Sequence, residues 1–114
     1  MPCTDPRDVT CLEDAFDLST TEIQPWELEL IWKAEALGLI VLSDHADEAA
    51  KDDSIPASAI WRVVRDGMRR SKDITTDGGR RIGINFEGKR RGGDWIRAKV
   101  SWKNEYIVAT VHQL

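Results

Sequence analysis

The chain has 114 residues, 32% of them charged, and a formal net charge of −4, which suits one domain with a modest core. No apolar run approaches the roughly 20 residues of a membrane span. The opening MPCTDPRDVTCLEDAFD lacks the basic start and apolar centre of a secretory signal, so a cytoplasmic location with no membrane partner is the expectation. The charge is unevenly placed. Residues 1–53 carry 14 acids against three bases (−11) and residues 54–114 carry six acids against 13 bases (+7), which together give −4. Such asymmetry suits a basic surface for phosphate and an acidic segment that covers it, pairs with it or faces elsewhere.

Residues 1–20 are polar and acidic, with Pro2 and Pro6, and read as a flexible acidic leader with a short helical turn around Leu12 to Leu18. Residues 21–114 read as a single α+β domain. Cys3 and Cys11 lie in the leader. No second Cys or His pair completes a zinc site, so no metal is expected. Two exposed, reduced thiols are the expectation, with a disulfide as the alternative.

Pro25 suits a first helical turn, and Leu28, Ile31 and Trp32 recur at helical spacing up to Leu37. Gly38 is a stop signal. Leu39 to Ser43 is either a short strand or a packed lead-in to the next helix. Ser43 or Asp44 caps that helix, which carries His45 and runs to about Asp52. Ser54 caps another helix with Pro56 in its first turn, and Ile60, Val63, Val64 and Gly67 form its buried stripe.

From there the apolar period changes to two. Asp73 to Thr76 is predicted as a first strand, and Asp77-Gly78-Gly79 as a turn. Arg80 to Glu87 follows as a strand with Ile82, Ile84 and Phe86 on one face and Arg81, Gly83 and Asn85 on the other. Gly88 to Asp94 is a basic loop containing Lys89, Arg90 and Arg91. Trp95 to Trp102 places Ile96, Ala98, Val100 and Trp102 opposite Arg97, Lys99 and Ser101. In the last strand, Tyr106 to Gln113, the apolar set Ile107, Ala109 and Val111 is the predicted core face, which leaves Tyr106, Val108, Thr110 and His112 on the basic side.

The predicted architecture is α+β, with N-terminal helices packed on a three- to four-stranded antiparallel sheet. An antiparallel sheet can leave its other face open, and here that face is basic. Arg80, Arg81, Arg97 and Lys99, with Lys89, Arg90 and Arg91 from the loop, are candidate nucleic-acid contacts. A histidine moves protons near neutral pH, and cations stabilise charge developing on phosphate oxygens. His45 and His112 are therefore candidate proton-transfer groups. In RNA the 2′-hydroxyl of the substrate is the nucleophile, so this chemistry requires no cofactor. Trp95 and Trp102 read as packing residues.

The segment 42–114 resembles the small RelE/BrnT-like proteins grouped as domain-of-unknown-function family 4258. The resemblance is carried by His45-Ala46, Ile55, Ile60-Trp61-Arg62-Val63-Val64, Gly67, Gly79-Arg80-Arg81 and Val108-Ala109-Thr110-Val111. It implies a compact RelE-like fold and kinship with toxins that cleave RNA, partnered by an antitoxin. It also implies that His45, Arg80 or Arg81, and Thr110 are the polar positions of the site. Where members usually carry arginines, four residues after the histidine and two before the isoleucine, this chain has Ala49 and Asp53.

Two functional expectations follow. One is a metal-independent endoribonuclease with His45, Arg81, Thr110 and His112 as its catalytic set. The other is a non-catalytic module that binds protein or nucleic acid as an inhibitor or regulator. In a third arrangement the acidic segment 1–41 lies over the basic sheet and silences it.

Overall fold

The computed structural model describes residues 2–114. Its elements in chain order are α1 (Val9–Ala15), α2 (Pro25–Ala36), β1 (Ile40–Leu42), α3 (Asp44–Asp52), α4 (Ala57–Asp66), β2 (Arg69–Asp73), a 3-10 turn (Asp77–Gly79), β3 (Gly83–Lys89), β4 (Trp95–Lys103) and β5 (Glu105–Gln113). The α+β expectation is met. The five strands form one sheet in the order β1-β5-β4-β3-β2. Four of them make the antiparallel set, and β1 adds a parallel edge strand beside β5.

Local chemistry explains most boundaries. Gln24 and Glu27 form a capping box at the start of α2, where Pro25 occupies the first turn. Ser43 caps α3, its hydroxyl accepting from the Ala46 N–H at 3.0 Å. The cap of α4 is Pro56 rather than Ser54. Gly67 turns the chain from α4 into β2. A Cβ there would collide with the carbonyl oxygens of Val63 and Glu87, so only glycine fits so close a crossing. The first predicted strand is displaced. The observed β2 begins at Arg69 and ends at Asp73, because the chain pairs with β3 directly after Gly67.

The helices cover one face of the sheet. Ile84, Phe86, Ile96, Ala98, Val100, Trp102, Tyr106, Val108 and Val111 face Leu30, Ile31, Ile60, Val63 and Val64 in a continuous core. Ala46 and Ala50 of α3 join the same core. The Trp32 indole N–H donates to the Val64 carbonyl at 2.8 Å and ties α2 to α4.

The leader is part of this core, not a loose extension. Leu12 is fully buried, and Phe16 meets Trp102 edge-on with ring centroids 4.7 Å apart. Burying two such side chains contributes roughly 2 kcal/mol each. Glu13 accepts from the Asn104 N–H at 2.7 Å, which fixes α1 to the β4–β5 turn. Cys3 is buried and joined to Cys11 in a disulfide, which corrects the expectation of exposed thiols. Such a bond is rare in a reducing cytosol.

A fully buried ion pair lies beneath the leader. Lys72 Nζ stands 3.1 Å from Glu27 Oε2 and 4.2 Å from the centre of the Phe16 ring. It ties the start of α2 to edge strand β2. Among the described residues, no helix is long and apolar enough to cross a membrane.

Candidate functional site

The uncovered face of the sheet is organised by strand register. Ser71, Asn85, Lys99 and Thr110 form one row across β2-β3-β4-β5, and Arg69, Glu87, Arg97 and His112 form the next. A third row, Asp73, Gly83, Ser101 and Ile107, lies on the other side of the first. Side chains two residues apart on a strand share a face, so these rows share the face opposite the helices.

The last strand reaches this arrangement through a β-bulge. Lys99 pairs with Thr110 but Val100 pairs with Val108, which leaves Ala109 as an extra residue. Strict alternation through Tyr106–Gln113 predicted Ile107, Ala109 and Val111 inside. The bulge resets the period at Ala109. Tyr106 and Val108 before it, and Val111 after it, are buried, whereas Ile107 and Ala109 line the open face. Thr110 and His112 therefore occupy their expected face, while Tyr106 and Val108 do not.

The bulge also positions His45. The Ser43 hydroxyl donates to the Ala109 carbonyl at 3.1 Å while capping α3. The Ser43 N–H donates to the Val108 carbonyl at 3.0 Å. The first turn of α3, with His45, is thus tied to the bulged strand beside Thr110.

These residues line a cleft of about 500 Å³ that takes in Ser43, His45, Arg80, Arg81, Arg97, Lys99, Thr110 and His112, a size usual for a ligand site. Arg80 and Arg81 enter it from the segment between the 3-10 turn and β3. Four cations line the cleft against one carboxylate, Asp73, so its field attracts anions.

Asp73 organises two of the cations. Its Oδ2 accepts from Lys99 Nζ at 2.9 Å and from Arg80 Nη2 at 2.7 Å. Its Oδ1 accepts from the Thr75 N–H at 2.9 Å. Burial alone pushes the Asp73 carboxyl up, but the bonds from Lys99, Thr75 and Arg80 outweigh it and hold the group down at about 2. Asp73 is therefore an anion at neutral pH and does not donate a proton there. Arg97 pairs with Glu87, Nη2 to Oε2 at 2.6 Å. Among the described residues Arg81 has no carboxylate partner. His45 and His112 are both exposed.

The structure brings seven of the expected site residues into one cleft: His45, Arg80, Arg81, Arg97, Lys99, Thr110 and His112. It does not bring Lys89, Arg90 or Arg91 there. Lys89 is exposed at the end of β3, opposite Trp95, and Arg90 and Arg91 line a separate groove. Nor does the leader mask the cleft, since no residue before Ser43 lines it. The lid arrangement expected for segment 1–41 is thereby corrected. Trp102 packs in the core, but Trp95 is half-buried on the open face, with the Arg69 guanidinium 4.2 Å from its ring centre.

Asp73 is the residue that sequence reasoning missed. A signal was available: apart from Asp77, it is the lone acid in the basic stretch from Arg69 to Arg81. Comparisons with family models, with curated proteins and with solved structures each gave no match.

Proposed function

We propose that the cleft holds an RNA backbone and that the protein is a metal-independent endoribonuclease of RelE-like type. One observation carries this reading: two histidines share a cleft with four cations and a single carboxylate that stays ionised. Since Asp73 is spent on holding Lys99 and Arg80, proton transfer at neutral pH falls to His45 and His112.

In the reaction the substrate 2′-hydroxyl attacks the adjacent phosphorus. One histidine accepts the hydroxyl proton, and the other donates a proton to the departing 5′-oxygen. The P–O bond to that oxygen breaks, which leaves a 2′,3′-cyclic phosphate and a free 5′-hydroxyl. Arg80, Arg81, Arg97 and Lys99 stabilise the charge that builds on the non-bridging oxygens. The Thr110 hydroxyl, beside Lys99 in register, orients the phosphate.

Substituting each histidine tests the assignment. His45→Gln and His112→Gln are each expected to slow cleavage by about 100-fold or more, the usual range for a general acid or base. Affinity for an uncleavable 2′-deoxy analogue should stay within about twofold, because phosphate binding rests on the cations. Unchanged turnover in both variants would remove the histidines from the mechanism. Intact RNA with retained binding would instead support the non-catalytic module.

A further inference from the structure

A second basic groove lies outside the cleft. It is lined by Arg62 and Arg65 of α4, by Arg90 and Arg91 of the β3–β4 loop, and by Pro56, Ser58 and Ala59, and has a volume of about 440 Å³. No carboxylate among the described residues lines it. Four guanidinium groups gathered in one groove of a chain whose net charge is −4 repel one another, and the pairs formed nearby relieve little of that. Arg65 lies 3.7 Å from Glu35 and Arg90 lies 3.4 Å from Asp94, long separations with one partner of each pair about half exposed, and such pairs contribute little. Arg62 and Arg91 have no carboxylate partner among the described residues. Arg90 also donates to the Ser54 carbonyl at 3.0 Å, which docks the loop on the turn before α4 and holds the groove together.

The groove and the cleft share no lining residue, and the stretch of chain that runs between them is β4 with the β3–β4 loop. Lys99, Arg97 and Trp95 follow one another at every second residue of β4, a step of about 6.6 Å that is comparable with one nucleotide of an extended strand. Beyond Trp95, which pairs with Lys89, the sheet ends, and the loop Arg90-Arg91-Gly92-Gly93-Asp94 joins β3 to β4, with Asp94 paired to Arg90. A polynucleotide leaving the cleft along β4 passes Trp95 and reaches the arginines by rounding the β3–β4 loop at the end of the sheet.

We infer that the Arg62–Arg65–Arg90–Arg91 groove is a second phosphate site, binding the backbone of the strand whose scissile nucleotide occupies the cleft. The identity of that strand rests on the ribonuclease reading. The site itself rests on the groove. It makes a long single strand a far better ligand than a dinucleotide, although both reach the same cleft.

The test compares the full chain with the Arg62→Gln/Arg65→Gln double variant in two measurements. The first is the affinity for a 2′-deoxy oligonucleotide of about 12 nucleotides, within the range of single-strand sites, taken across a salt series. The second is cleavage of a ribodinucleotide too short to reach the groove. Losing two phosphate contacts is expected to lower the salt slope by about 1.4, at roughly 0.7 per contact on a single strand, and to weaken binding roughly tenfold or more at low salt. Dinucleotide cleavage is expected to be unchanged.

Equal oligonucleotide affinity and slope in the two proteins would overturn the inference. A wild type that cleaves neither the dinucleotide nor a ribo-oligonucleotide of the same length, about 12 nucleotides, with the variant still losing slope, would end the ribonuclease reading and leave the groove standing. Should the double variant fail to fold by circular dichroism, Arg91→Gln in the loop takes its place. It is then expected to lose about half as much slope, and no change in slope would overturn the inference.

Discussion

Asp73 gathers Lys99, Arg80 and the Thr75 N–H around one buried carboxylate. Its folded-state value, about 2, lies below the 3.8 of a free aspartate. A group depressed in this way contributes stability that is fully present above the unfolded value and lost as the pH falls through the folded one. The contribution of Asp73 is therefore lost between about pH 4 and pH 2. Asp73→Asn removes it, so the variant's urea midpoint is expected to vary less with pH across that window than the wild type's.

At neutral pH the same substitution leaves Lys99, itself buried, without its counter-ion. Breaking such a pair costs about 3 kcal/mol. A midpoint at pH 7 equal to wild type would show that the pair contributes nothing. Of the cations on the open face, Arg97 and Lys99 were legible in the sequence, since alternation alone placed them there. Asp73 was not, because the strand that carries it starts four residues before its expected position.

At the scale of elements, the β-bulge at Ala109 is what separates pattern from structure. Alternation assigns every residue of a regular strand to a face, and a single extra residue inverts the assignment on one side of it. The apolar run from Tyr106 to Val111 reads equally well in either phase, so nothing in it marks the bulge. The bulge lies where the Ser43 hydroxyl reaches the Ala109 carbonyl.

Deleting Ala109 regularises the ladder while leaving Val100 opposite Val108 and Lys99 opposite Thr110. The deleted chain is expected to fold, keep its affinity for an uncleavable oligonucleotide, and lose cleavage by about ten- to a hundredfold, the effect of a displacement near 1 Å at a reacting group. Wild-type turnover in this variant would show that the Ser43–Ala109 contact does not position His45.

For the whole molecule, the unexpected features are the integrated leader and the parallel strand β1. Polar and acidic residues dominate 1–20, and that composition suits a mobile segment. The few apolar residues decide the matter, since Leu12 and Phe16 fill the end of the core around Trp102. Strand β1 escaped assignment to the sheet because three residues carry too short a pattern. Its pairing with β5 depends on where the intervening helices lead the chain.

Removing residues 1–20 is therefore expected to lower stability by several kcal/mol, at roughly 2 kcal/mol for each large buried side chain, and to give no gain in RNA affinity. A truncated chain that melts like the full one and binds RNA more tightly would restore the masking arrangement.

The most direct test of the cleft's chemistry is the end-group structure of RNA incubated with the folded protein in excess chelator. Cleavage by the substrate's own 2′-hydroxyl predicts fragments ending in 2′,3′-cyclic phosphate and beginning with 5′-hydroxyl, and no cleavage of the 2′-deoxy counterpart. RNA that stays intact until a divalent metal is added, or a 2′-deoxy strand that is cut equally well, would contradict it.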